Sequence, residues 1–272
     1  MSVTLSNPAQ TALDSILNTG RDMQVAQKRL STGLKVSEAA DGPAAYFTAR
    51  GLRGRADDFS ARYDNIQQGM KTLNAASKSL DGVEKLAQQM KGLADQALGT
   101  SDTNVRSRLM KDFNKLRSQI NALVGDATYN GTNLINTGVS TDKFEVKMSE
   151  RTASTLTVAK VDARVTALGI SAQTTWGPDT AITRARNNVD KALSTLRTYQ
   201  TSFATATAVL STRAEFTQNM MSTLKSGATQ LTVADLDEEG AKLAALNTRG
   251  QLAQQTLGLA IQREQGILRL LG

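Results

Sequence analysis

The 272-residue chain contains no histidine and no cysteine. That absence removes the commonest general base, the usual zinc and copper ligands, and any thiol nucleophile or disulfide. Catalysis would have to rest on Asp, Glu, Lys, Ser or Tyr alone, so neither an enzymatic role nor a bound cofactor is expected. Proline is nearly missing, with three in the whole chain. Because proline breaks helix interiors, long stretches are free to be helical. Aromatic residues make up 4% of the chain against 40% apolar, which favours slim helical packing over a thick core filled by large rings. No stretch is apolar enough to span a membrane. Met1 to Gln10 lack the basic start and apolar run of a secretory signal, so export by the general route is not expected.

The formal net charge is +7, which raises the question of an anionic partner. Lys and Arg are nevertheless spread along the chain, and the longest run is Lys28–Arg29. The densest group, Arg50, Arg53, Arg55 and Arg62, has Asp57, Asp58 and Asp64 among it. With no aromatic platform beside a basic stripe, neither nucleic-acid binding nor membrane insertion is expected.

What the sequence does contain is helical periodicity. Leu13, Ile16, Gly20, Met23, Gln27, Leu30 and Leu34 step alternately by three and four, the seam of a helix that meets another along its length. The far end repeats the pattern with Leu243, Leu246, Gly250, Ala253, Leu257, Ala260, Glu264, Ile267 and Leu271. Several seam positions are small or polar, so neither helix looks self-sufficient. Five or six large apolar residues on one face do not offset the entropy of ordering a segment of this length. The two ends are therefore expected to be loosely ordered in a free monomer and to fold when neighbouring copies cover them.

Between the ends, Phe59, Tyr63, Ile66, Met70, Leu73, Ser77 and Leu80 form a seam that shifts phase into Val83, Leu86, Met90, Leu93 and Ala97. The Gly-rich stretch Gly51–Arg55 is expected to interrupt or bend its helix. Gly99 to Thr103 reads as a turn, and a second helix follows through Val105, Leu109, Phe113, Leu116, Ile120 and Leu123. Pro178 opens a long helix expected to end near Leu224. Only the middle alternates with period two, at Phe144, Val146, Met148, Leu156 and Val158, predicting one small β-hairpin near 142–161. Residues 125–140 and 169–177 read as loops. The expected fold is mainly α: an elongated helical rod with N- and C-terminal coiled-coil helices and a helical bundle carrying the hairpin.

Particular residues now carry a resemblance. Arg29-Leu30-Ser31-Thr32-Gly33-Leu34-Lys35-Val36 resembles the N-terminal motif RLSSGLRI of bacterial flagellins, and Ser37 to Ala45 is similar to their NSAKDDAAG. Asn65-Ile66-Gln67-Gln68-Gly69-Met70 falls where the family has NANDGI. Tyr129-Asn130-Gly131-Thr132-Asn133-Leu134 is close to FNGTNLL, and Gln262 to Leu271 resembles the family's hydrophobic C-terminus. The matches keep the family's order and spacing over nearly the whole chain.

The resemblance implies a subunit that polymerises into the extracellular flagellar filament, with itself and possibly with other flagellins. It also implies export through the flagellar type III apparatus with an export chaperone, no cleaved signal peptide, and contact with the filament cap and hook-associated proteins. On that mapping, residues 1–43 and 225–272 build an inner tube and 44–224 an outer helical layer. The variable outermost domains would be missing. Inner-tube interface residues would include Leu13, Ile16, Met23, Leu30, Leu34, Leu243, Leu246, Leu257, Ile267 and Leu271. A hook–filament junction protein shares these terminal helices and is the alternative; a basic nucleic-acid-binding helical protein is the alternative from another class.

Two departures stand out. Gly42 and Pro43 replace an Asp and an Ala of the family motif, so the turn leading outward is expected to differ in shape. Animal receptors recognise many flagellins through a motif like LQRVREL. Here the matching residues are Ala87-Gln88-Gln89-Met90-Lys91-Gly92-Leu93, with Gln89 where an Arg is expected and Gly92 where a Glu is. Weak or absent receptor activation is expected through Gln89, Met90 and Leu93, because a charged anchor is lost.

Overall fold

The structure, a computed structural model, describes residues 7–137, 143–149 and 154–271, with the side chains of residues 8, 264 and 267–271 outside the described set. Helices dominate, as the period predicts: α1 (Asn7–Thr32), α2 (Pro43–Leu98), α3 (Thr103–Asp126), α4 (Asp179–Thr232) and α5 (Leu236–Leu271). Two short antiparallel pairs, β1 (Thr128–Tyr129) with β2 (Thr132–Asn133) and β3 (Lys143–Lys147) with β4 (Thr155–Ala159), complete the regular structure.

The chain divides into two compact units. Residues 1–55 and 223–272 make the first, and residues 56–222 the second. The helices α2 and α4 contribute to both. The boundaries expected from the sequence lie at 43/44 and 224/225.

In the second unit the core is built on heptads. The buried residues Leu73, Ala76, Leu80, Val83, Ala87, Met90, Ala94 and Ala97 of α2 alternate steps of three and four without a break, keeping one face inward along the helix. Phe113, Ile120 and Val124 of α3 and Ile182, Val189, Leu196, Phe203 and Leu210 of α4 join the same buried cluster. The α2–α3 turn falls where expected, because the Asp102 carboxylate accepts the Asn104 and Val105 N–H groups at 2.7 and 3.3 Å and caps α3.

Asn130 and Gly131 have φ of 47° and 76°. These left-handed values suit the two-residue hairpin turn whose twist matches its strands. They yield an extra hairpin, β1–β2, inside a stretch expected to be loop. The predicted hairpin forms between β3 and β4, with Phe144 opposite Val158 and Val146 opposite Leu156. Asp142, residues 138–140 and residues 150–153 lie outside the described residues.

Residues 160–177 have little regular structure but are fixed to α3. Asn114 accepts the Gln173 N–H and donates to its carbonyl, Arg117 Nε donates to the Ile170 carbonyl, and Asn121 accepts the Val165 N–H. These residues, three or four apart, share one helix face and satisfy backbone groups of a strap whose start is also held by an isolated antiparallel bridge, Asp162 with Asn136, flanked by Val161 and Ala163 N–H donating to the Leu134 and Ile135 carbonyls. The strap carries Trp176, 2% exposed and edge-on to Phe113 at 5.2 Å between centroids, into the core.

Two helical expectations need correction. Gly51–Arg55 does not interrupt its helix: α2 is continuous from Pro43 to Leu98. Each glycine costs about 1 kcal/mol relative to alanine in a helix interior, but the flanking residues are anchored. A Cβ on Gly227 would lie 3.5 Å from Leu52, and Arg53 donates to Thr232 Oγ1 at 2.9 Å. The second correction concerns α4, which ends at Thr232 and not near Leu224, its last turns being secured by those contacts.

Candidate assembly surface on the terminal helices

The first unit pairs α1 with α5, with Cα atoms of the two helices within 8 Å of one another. Small residues predominate at the seam. On α1 the buried positions are Ala9, Ala12, Thr19 and Ala26, and on α5 Glu239, Leu246 and Ala253. A Cβ on Gly250 would sit 3.7 Å from Thr19 Cγ2, so the two backbones meet where neither carries a large side chain.

Beyond α1 the chain turns through Gly33, whose φ of 68° a side chain would resist. It then pairs antiparallel with the α4–α5 connection. Lys35 N–H donates to the Thr232 carbonyl at 2.9 Å, and Ala234 N–H to the Gly33 carbonyl at 3.0 Å. Asp41 closes the following turn by accepting from Ser37 N–H, Ser37 Oγ and Glu38 N–H. Those bonds, with Lys28 nearby, hold its carboxyl down to about 2. Gly42 ends the short 3₁₀ turn at Ala39–Asp41, and Pro43 occupies the first position of α2, where its missing N–H has no helical partner to lose. At the inner end of the pair, Arg29 Nη1 donates to Glu239 Oε1 at 2.7 Å.

The predicted interface residues occupy distinct places in this geometry. Leu246 is buried within the unit, and Ile16, Met23, Leu30, Leu34, Leu243 and Leu257 are half-buried. Leu13 is 38% exposed. Ile267 and Leu271 lie on α5 with their side chains outside the described set. Along α5 the three-and-four stepping marks the face turned toward α1. On α1 the buried line runs one residue, about 100°, away from Leu13, Gly20 and Gln27.

Sequence reasoning missed a second apolar face. Leu17, Val25, Leu252 and Leu259 are 52, 45, 58 and 62% exposed. Among the described residues, every exposed large apolar side chain except Val209 and Phe216 belongs to the first unit. The signal was present in Leu13/Leu17, four apart, and Leu252/Leu259, seven apart. These pairs lie off the alanine line. In the receptor-like segment, Gln89 is exposed, Leu93 is half-buried and Met90 is fully buried in the core.

A mainly helical chain whose two ends pair with each other and still leave leucine and valine outward is a self-associating structural protein by class. The comparisons are specific. The profile of the bacterial flagellin N-terminal helical region matches residues 3–139. Flagellin FljM of Caulobacter vibrioides is 30% identical over 270 residues, spanning 99% of this chain and 98% of that one. A flagellin of Brucella melitensis is 27% identical with the same coverage of both chains. The crystal structure of Bacillus cereus flagellin shares the fold at a TM-score of 0.50 and 20% identity, over 56% of this chain and 88% of that one. The chain belongs to the bacterial flagellin family and is a structural subunit of the flagellar filament.

Proposed function

We propose that this subunit polymerises through the outward apolar face of its paired terminal helices. That face would pack against the same unit of neighbouring copies, so that residues 1–43 and 225–272 line an inner tube and residues 44–224 surround it. The observation carrying this reading is the concentration of exposed Leu13, Leu17, Val25, Leu252 and Leu259 on a helix pair already closed along its alanine seam. Heterologous contacts of this kind extend into open helices when the rotation does not close a ring. The ends gain most of their order when neighbours cover them. The subunit has no catalytic task, which the absence of His and Cys supports. Its route outward is the flagellar export apparatus with a chaperone and without a cleaved signal, and its assembly partners are the filament cap and hook-associated proteins.

Electron microscopy of purified protein, heat-disassembled and reassembled from short seeds, tests the reading. Long filaments of uniform diameter are expected. Leu252→Asp with Leu259→Asp should stop elongation while leaving the melting of the second unit unchanged, because a charge buried at every repeat costs several kcal/mol each time. Normal filaments from that double variant would overturn the proposed interface. Unsubstituted monomers that never elongate from seeds would favour a junction adaptor.

A further inference from the structure

Within the second unit, α2 and α4 feed one buried cluster but differ in regularity. The heptad stepping of α2 is unbroken from Leu73 to Ala97. In α4 the same stepping holds from Ile182 through Val189 and Leu196 to Phe203, Ala206 and Leu210, and then slips: Leu210, Ala214 and Thr217 follow by four and three. Two consecutive steps of four, from Ala206 to Leu210 and from Leu210 to Ala214, are the four-residue insertion that locally unwinds a supercoiled helix pair.

The same stretch is rich in hydroxyls turned back on their own helix. Thr201, Thr205, Thr207, Thr212 and Thr217 each donate Oγ1 to the carbonyl four residues earlier, at 2.7–3.2 Å; Thr195 and Thr198 do the same just upstream, so the density of these bonds marks the stretch and not their presence alone. Such bonds compete with the helical ladder for the carbonyl and bend helices. Threonine is also a weaker helix former than alanine. In α2 the described bonds of this type are those of Thr72 and Ser79.

Cross-bracing is the third difference. Within the second unit the described polar ties between α2 and α4 lie on the N-terminal side of the slip: Arg186 with Asp95, Lys91 with Asp190, Arg197 with Glu84, and Gln200 with Asp81 and Glu84; the next one, Arg53 with Thr232, comes only at the far end of α4. Within 201–217 the described side-chain tie to another element is Arg213 Nη2 donating to Ser154 Oγ beside the hairpin.

The geometry points to residues 201–217 of α4 as a compliant joint, a place where the long helix bends while its braced N-terminal half stays fixed. This goes beyond self-assembly, since it is a property of the single subunit. It allows one chain to meet several neighbours that do not present identical surroundings.

The chain has no cysteine, so introduced cysteines are the only spin-label sites. Ser194→Cys with Gln218→Cys brackets the joint on α4. Lys71→Cys with Gln96→Cys brackets a control length of α2. All four positions are exposed, and both spans are about 36 Å at 1.5 Å per residue. Pulsed electron–electron distance measurements on the soluble monomer should give a distribution across the joint at least twice as wide as across the control. Adding Thr201→Ala, Thr205→Ala and Thr212→Ala should narrow it towards the control. Equal widths in the parent chain, or a width the three alanines leave unchanged, would overturn the joint. As a label-free check, amides of 201–217 should exchange at least tenfold faster than those of 182–196, and equal rates would count against it. Neither readout requires a filament.

Discussion

Arg29 and Glu239, 210 residues apart in the sequence, meet with Nη1 2.7 Å from Oε1. The Glu239 side chain is 10% exposed, and its second oxygen, Oε2, is buried without a hydrogen-bond partner. Removing Arg29 leaves a buried carboxylate uncompensated. Arg29→Ala should therefore destabilise the first unit by about 1–3 kcal/mol. Arg29→Met with Glu239→Leu should recover most of that loss, because an apolar pair avoids the desolvation cost altogether. A urea titration followed by far-ultraviolet circular dichroism compares the three chains. A double variant no better than Arg29→Ala would show that the pair has no electrostatic role.

Acid should loosen the turn after α1. The Asp41 carboxyl is held down to about 2, first by its bonds from Ser37 and Glu38 and then by Lys28. A folded-state value below the ordinary one stabilises where the group is ionised in both states. The contribution is therefore complete above about pH 5 and is lost as pH falls through the range from 4 to 2. Asp41→Asn should flatten this part of the stability profile. The carboxyl resonance of Asp41, followed by NMR from pH 6 to 2, should titrate well below its neighbours; an ordinary midpoint would contradict the geometry.

Of the described glycines, Gly69 has the least room for a side chain. A Cβ there would lie 2.6 Å from Val146 Cγ2 of β3 and 3.1 Å from its Cγ1. Gly69→Ala should cost about 1–3 kcal/mol through overpacking, despite alanine's better helix propensity. Adding Val146→Ala should relieve the clash, so that the two effects fail to add in a thermal-melting cycle. Simple additivity would mean that β3 moves aside freely.

Receptor stimulation should be weak. On the α2 side, Gln89, Gly92 and Leu93 line a cleft of about 520 Å³ whose α3 side carries Leu116 and the Asp112–Lys115 ion pair, and Met90 is buried in the core; the difference from the family motif lies at positions 89 and 92. A partner meets an amide and a glycine in place of a charged pair. A reporter-cell dose response should be displaced to much higher concentration than for a flagellin with Arg and Glu at these two positions. Equal potency would refute the expectation.

Most of the helices were legible in the sequence because apolar period is imposed by burial, and burial is what each long helix requires. The seam of α5 could be read directly for that reason, whereas on α2 the expected phase shift into Leu86 and Leu93 is absent and the buried line runs through Ala76, Ala87 and Ala94. On α1 the reading followed the large side chains, whereas the partner helix sits against alanines. Leu13 and Leu17 carry the strong apolar signal but lie outward, and Ala12 carries almost none and lies inward. Gly51 and Gly54 misled in the opposite direction. Glycine weakens a helix locally, but Leu52 and Arg53 fasten that turn through contacts at Gly227 and Thr232, which lie far away in the chain. The strap of residues 160–177 was illegible because its order comes from Asn114, Arg117 and Asn121 on α3, and its own residues show no period.

The pairing of α1 with α5 also sets a timetable. The first unit combines residues 1–55 with 223–272, so its two halves are synthesised with the whole of residues 56–222 between them. Closing a loop the length of the Arg29–Glu239 separation, 210 residues, costs about 5 kcal/mol of chain entropy if the intervening chain is unfolded. Much of that cost disappears once residues 56–222 have folded and shortened the effective loop. The second unit is thus placed to act as the first unit's matchmaker: a nascent chain has only half of the helix pair until residues 223–272 exist. Throughout that interval α1 carries its leucines with no α5 to lie against.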